Sequence, residues 1–388
     1  EGLLRLAWQH RWMFDENFGS YASYYTAKSR SYLRKKNIPF VERLPSAPIF
    51  RDKVRPASGS HRIPQLLTPD GQVIQDTVAI QDHLEERFPA LPAIPSTPCQ
   101  RVYVHLMELM ASEGLLRLAW QHRWMFDENF AFVKKDFGRS FRPQGSDADL
   151  DKYGNLIADR MMSYGLPEST PAARDALDDA LLELLGLFEC HLIEHPYFLG
   201  GHPSAADYAI MGALHAHMGR DPAGLRVMQN HAPRVFRWVE NMLVPEVQSP
   251  EFHNTPVAYL VDDLVPETAL ALLGFIFREY GQRFLLGALA FNQMLEKDSP
   301  EAGKVLDTER DQPHLAAQTI FYGGAQHEHA TDVYALWLTQ RAQRFYQSLD
   351  IPSQQAVLTI LSSSNLKELV ELPLLREIKR INNRFVIA

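Results

Sequence analysis

Apolar positions recur at helical spacing through most of the chain after residue 99, whereas before it short extended runs alternate with single helices. In GSYASYYTAKSRSYLRKKNIPFVE, 19–42, a small-residue turn leads into a predicted helix from about Ser23 to the Lys36-Asn37 corner, and an extended run follows. Such a turn sets a side-chain hydroxyl and free backbone N–H groups at the positive end of a helix, where an anion such as a thiolate is stabilised. A proline-punctuated connection, 44–61, holds at most a short helix near 49–53. Strands at 65–67 and 72–74 are joined by Thr68-Pro69-Asp70-Gly71, whose Asp-Gly pair signals a tight hairpin. A helix then opens at Asp76 or Thr77 and stops before Pro89. The stretch 90–98, ALPAIPSTP, reads as a linker. Beyond it the period predicts helices over 100–137, 156–164, 172–194, 204–217 and 233–244, with a polar loop at 142–152. Further helices are expected over 266–297, 330–349, 352–361 and 366–383, and Ser204-Ala-Ala-Asp207 is a capping box.

Residues 1–18, EGLLRLAWQHRWMFDENF, recur unchanged at 113–130. An architectural repeat drifts and repeats its surroundings, yet Gly19-Ser20-Tyr21 and Ala131-Phe132-Val133 share nothing. The second copy fits its context, with Leu115, Leu118, Ala119 and Trp120 at helical apolar positions. The first copy is therefore read as an artefact of duplication, and MFDENF, acidic and barely alternating, as a poor strand.

Length and charge narrow the classes. At 388 residues, 46% apolar, the chain can bury cores for two or three domains. A net charge of −8, with no basic run longer than Arg34-Lys35-Lys36, speaks against a nucleic-acid partner. Cys99 and Cys190 stand far apart in helical patterns, so a disulfide framework is not expected and a reducing cytoplasm is. The most apolar segment, 268–277, is cut by Arg278-Glu279 and is too short to span a bilayer, so no membrane partner is expected. Arg5, His10 and Arg11 interrupt the start without the apolar core and cleavage site of a signal peptide.

Four blocks in order, SYYTAKSR at 23–30, RIPQLLTPDGQVIQD at 62–76, TVAIQDHLEERFP at 77–89 and FLGGHPSAADYAIMGAL at 198–214, resemble the glutathione transferase family over roughly residues 19–245. The resemblance implies an α/β thioredoxin-like N-terminal domain at 19–89, the linker at 90–98, and an all-α helical-bundle C-terminal domain at 99–250. Residues 251–388 are then a helical extension with extra C-terminal helices. Glutathione as co-substrate, a small electrophile and a homodimer come with the family. So does an interior first strand, which falls where residues 1–18 stand; if that copy is real, the sheet is expected to be disturbed there.

Carried over residue by residue, the resemblance puts the catalytic hydroxyl at Ser23, donating to the glutathione sulfur, with Tyr24, Tyr25 and Ser20 as alternative donors. Ser23 is equally an ordinary N-cap, and one hydroxyl can do both. Tyr24 stands where proline is frequent, and Ser23 and Thr26 where redox members carry cysteine, so this window cannot form a mixed disulfide. For Tyr24 and Tyr25, packing on the sheet or domain interface is the favoured account. Ile63-Pro64 matches the family's cis-proline, whose preceding backbone pairs with the cysteinyl unit of glutathione. Asp76-Thr77 matches the pair that binds the γ-glutamyl group, Thr77 its carboxylate and Asp76 its amine, although capping uses the same donors. His122, Arg123 and Trp124 fall on the helix that lines the second-substrate pocket in this fold, with helix packing as the other account. No metal is expected, since His215/His217 and His327/His329 are i, i+2 pairs without a third ligand. Trp337, Arg341 and Tyr346 read as an amphipathic packing stripe. Three functions stay open: a transferase, a catalytically silent binding scaffold, and a glutathione-dependent lyase or dehalogenase.

Overall fold

The computed structural model describes residues 14–163, 171–306, 317–322, 325–330, 332–362 and 365–388. Its first sheet has the order β2-β1-β3-β4, formed by β1 (Asp15–Phe18), β2 (Phe40–Arg43), β3 (Gln65–Leu67) and β4 (Val73–Gln75). β1 runs parallel to β2 and antiparallel to β3, and β3 pairs antiparallel with β4 through the Asp70-Gly71 turn. The DENF end of the first copy is thus a fully paired interior strand, which corrects the expectation of a disturbed sheet. Residues 1–13 of that copy lie outside the described residues.

The sheet is covered on both faces. On one, Leu66 and Ile74 pack with Tyr32 and Leu33 of α1 (Tyr24–Lys35) and Leu84 of α3 (Thr77–Arg87) in the main core. On the other, Phe18 and Leu67 meet Phe50 and Val54, just before the short α2 (Arg55–Ser58). Period-two alternation sends Phe18 to the second face and Asn17, paired with Leu66, to the first.

After the linker come α4 (Pro98–Leu109), α5 (Leu116–Trp124), α6 (Asp127–Phe141), α7 (Asp147–Met162), α8 (Pro171–His191), α9 (Ala205–Met211), α10 (Pro222–His231) and α11 (Pro233–Asn241). The single helix expected over 100–137 breaks at Met125-Phe126, where Asn129 turns back to accept helix-end duties described below. The polar loop expected at 142–152 shrinks to a turn. Ser146 Oγ accepts from Asp149 N and Asp149 returns a bond to Ser146 N, so α7 starts at Asp147.

The extension adds α12 (Glu267–Ile276), α13 (Gln282–Asp298), a β5–β6 hairpin (Ala317–Tyr322, Ala325–Ala330), α14 (Val333–Gln347), α15 (Ile351–Ile360), α16 (Leu366–Glu371) and a β7–β8 hairpin (Ile378–Ile381, Arg384–Ile387). The helix expected over 366–383 therefore ends at Glu371, before Pro373. Asn382 and Asn383, both at positive φ (50° and 61°), form the two-residue turn that reverses the chain. α14 lies along α4, and Phe291, Leu336, Ile378 and Phe385 share a small second core. From there the extension folds back over the first domain through ion pairs Arg341–Asp82 and Arg380–Asp76. No helix among the described residues is long and apolar enough to cross a membrane.

Candidate functional site

Register alone gathers three of the sequence segments at one edge of the sheet. Phe18 ends β1, Gln65 opens β3 and Gln75 ends β4, and they stand in one row across the ladder. The residues leaving that row are Gly19 to Ser23, Ile63-Pro64, and Asp76-Thr77. The Ile63–Pro64 peptide bond is cis, and Asp76 N reaches Pro64 O at 3.5 Å.

Each segment is locally fixed. Gly19 passes so close to α1 that a Cβ there would lie 2.1 Å from Thr26 Cγ2, so only glycine fits the turn. Ser23 is the N-cap of α1, half-buried, and its Oγ accepts from Thr26 N at 3.2 Å. As an acceptor in that bond it keeps its own proton free to donate outward. Ser20 is spent elsewhere, its Oγ 2.6 Å from Ser140 Oγ and accepting from Ala22 N. Asp76 caps α3, its Oδ1 accepting from Val78 N (2.9 Å) and Ala79 N (3.2 Å) at a backbone φ of 95°, a conformation that costs about 1–3 kcal/mol for a residue other than glycine. Thr77 beside it is 2% exposed, and its hydroxyl has no hydrogen-bond partner among the described residues.

A model of the glutathione S-transferase N-terminal domain matches residues 18–92, and one of the glutathione S-transferase C-terminal domain matches residues 171–241. Both of these domains are those of the glutathione S-transferase family. Among curated proteins, a probable maleylacetoacetate isomerase of Caenorhabditis elegans is 29% identical over 65 residues, 17% of this chain and 30% of that protein, so the chain spans less than a third of that relative. Among solved structures, a glutathione S-transferase from Rhodospirillum rubrum F11 is 15% identical over 67% of this chain and 99% of its own, with a TM-score of 0.37. One from Methylobacterium radiotolerans, in complex with glutathione sulfonate, is 18% identical over 65% and 99%, with a TM-score of 0.34. A glutathione transferase from Phanerochaete chrysosporium is 15% identical over 60% and 97%, with a TM-score of 0.44.

In this chain both tyrosines of the window point inward. Tyr24 is 5% exposed, donates to Ala111 O and presses on Gly212, where a Cβ would sit 2.4 Å from its ring. Tyr25 donates to Glu113 Oε1 at 3.1 Å. Burial, and next the carboxylate of Glu113, push both phenols well up, so neither ionises to serve as a base. Glu113 is itself pushed up to about 8, chiefly by burial and then by Asp332, against the pull of Arg283.

His122, Arg123 and Trp124 are 2–5% exposed and committed to packing. Arg123 pairs with Asp221 at 2.7 Å and donates to Ala22 O, bracing the turn before Ser23. His122 stacks on Phe126 and Trp124 on Phe137. Their burial and these contacts accord with helix packing, the other account given for the three. Sequence reasoning also missed Arg380, which reaches from the β7–β8 hairpin to within 3.2 Å of Asp76 Oδ1. That approach is Coulombic, because Oδ1 already accepts two backbone bonds and the directed bond of Arg380 runs to Gln75 Oε1. No local signal could have found it, since the partners are 304 residues apart in a stretch expected to be helical.

Proposed function

We propose that this glutathione S-transferase family chain binds glutathione along the 19–23, 63–64 and 76–77 edge and presents its thiolate to a small electrophile. The observation that carries this reading is the buried, unpartnered hydroxyl of Thr77 at the N-terminus of α3. A buried hydroxyl left without a partner costs about 1–3 kcal/mol, and the γ-glutamyl carboxylate is a fitting acceptor for it and for the adjacent helix N–H groups. Asp76 then faces the γ-glutamyl amine, the backbone beside Pro64 takes the cysteinyl unit, and Ser23 donates to sulfur at the positive end of α1. The thiolate attacks an electrophilic carbon, forming a C–S bond while the leaving group departs with its electron pair or the acceptor takes up a proton. A cytoplasmic homodimer goes with this reading.

A second reading, a binding module without turnover, is favoured by Arg380: the incoming ammonium must displace a guanidinium from Asp76. Calorimetric glutathione titration and turnover with a panel of electrophiles, on wild type, Thr77→Val and Ser23→Ala, separate the two. The transferase reading expects Thr77→Val to weaken glutathione roughly tenfold, and Ser23→Ala to lower kcat about 10–100-fold with little change in affinity. Binding without turnover in the wild type selects the module, and no binding at all removes both.

A further inference from the structure

The stripe of Trp337 and Arg341 borders a cleft that the glutathione edge does not use. It lies between α4, α14 and β7, encloses about 600 Å³, and continues into a second hollow of about 510 Å³ that shares Arg101, His105 and Arg341. In a chain of net charge −8 its walls are cationic: Arg101, Arg341, Arg344, Lys379 and Arg380 against Glu377. Three of these arginines are answered by carboxylates, Arg341 by Asp82 at 2.7 Å, Arg344 by Glu377 and Arg380 by Asp76. Arg101 is not. It rests on the Phe345 ring at 4.4 Å, its Nε is buried without a hydrogen-bond partner, and no carboxylate pairs with it among the described residues. Burial and then Arg341 weigh against its charge, while Asp82, across the second hollow and paired with Arg341, only partly offsets them. His105 behind it is kept neutral by burial and by these two arginines, so it adds no further positive charge.

A half-buried guanidinium held against a second one, with no carboxylate paired directly to it among the described residues, favours the approach of an anion. We propose that this cleft binds a small organic anion, its charged head on Arg101 with Lys379 at the rim and its apolar body against Trp337, Phe345 and Ile381. Trp337, Phe345 and Ile381 supply the apolar wall, and Ile381 is 51% exposed at the mouth. The site is built mostly by the extension and does not depend on the glutathione reading. Among the described residues, Arg380 is the wall it shares with the Asp76 edge.

Titration of the full chain with 1-naphthoate, 1-naphthyl phosphate and neutral 1-naphthol, by calorimetry and by tryptophan emission with Trp337→Phe to assign the signal, tests this. At least one of the two anions binds tenfold or more tighter than 1-naphthol, and which one leads tells carboxylate from phosphate recognition. Arg101→Gln removes that preference, Arg101→Lys keeps part of it, and Lys379→Ala, on the exposed rim, weakens it about two- to threefold without disturbing the fold. Saturating glutathione leaves the anion's affinity within about twofold. Equal binding of 1-naphthol, an unchanged preference in a folded Arg101→Gln, or direct competition with glutathione overturns the proposal.

Discussion

The tetrapeptide Asp-Glu-Asn-Phe occurs twice and folds two ways, as β1 (Asp15–Phe18) and as the first turn of α6 (Asp127–Phe141). At 127–130 the peptide suits its place: the two acids stand at a helix N-terminus, and the helical pattern continues through Val133 and Phe137. Asn129, 0% exposed, donates to His122 O (2.8 Å) and Arg123 O (3.1 Å) and accepts from Ala223 N (2.9 Å), tying α5, α6 and α10 together. At 15–18 the same letters are imposed by their neighbours, since β2 and β3 each offer an edge to pair. Asn17 is also 0% exposed, but neither its Oδ1 nor its Nδ2 finds a partner among the described residues. The lesson is that backbone pairing and one aromatic anchor can hold a strand whose own polar side chain works against it.

That anchor should give the largest effect. Phe18 is 0% exposed and packs on Phe50 at 5.6 Å, whereas Phe130 is half-buried beside Trp124. Phe18→Ala is expected to cost about 3–5 kcal/mol and Phe130→Ala about 1–2, read from denaturant midpoints. Equal costs would mean that β1 is not held through its second face.

The asparagines should differ in sign. Asn129→Ala strips partners from two buried carbonyls and one N–H and is expected to cost about 2–4 kcal/mol. Asn17→Val replaces an orphaned amide with a strand-forming apolar side chain opposite Leu66, and is expected to stabilise by about 1–2 kcal/mol. A destabilising Asn17→Val would show that the amide has a partner in solution.

The same contrast separates what could be read from the chain. Ser23 as N-cap, the Asp70-Gly71 turn, the Asp76-Thr77 helix start and the Ser204–Asp207 box were legible because their signals act within four residues. So was the cis Ile63–Pro64 bond, through a resemblance that spans the whole first domain. β1 was not, because its state is decided by strands 22 to 52 residues away, and its own composition argues the other way. The start of α7 was hidden by polar residues that turned out to be a capping box, and Asn382-Asn383 was passed over as helix. Arg380 on Asp76 follows from that same hairpin and from no local pattern.

Acid and base sharpen the comparison at the head of the second copy. Glu113 has a folded pKa of about 8 against an ordinary value of 4.5, because burial opposes its charge. Between those values the folded state holds a proton that the unfolded state has released, so stability is highest below about pH 4.5 and falls as pH rises towards 8. The slope is on the order of 1 kcal/mol per pH unit, and Glu113→Gln should flatten it. An unchanged profile in Glu113→Gln would put the charge burden of the second copy elsewhere.

The first residue of the tetrapeptide gives the smallest effect and the finest distinction. Asp127 is exposed in the first turn of α6, where a negative charge meets the helix dipole, so Asp127→Asn should cost only about 0.5 kcal/mol. Ions at 1 M shorten the screening length to about 3 Å and should erase that difference. Asp15 is 2% exposed and paired with Arg87 at 2.8 Å across to α3, so Asp15→Asn should cost about 1–2 kcal/mol. Salt reaches that buried carboxylate poorly, and most of its cost should survive at 1 M. Melting both variants at low and high salt therefore asks which copy uses its charge as a helix terminus and which as a tie between elements. Loss of the Asp15 effect in salt would place β1 at a solvated edge, against its position between β2 and β3.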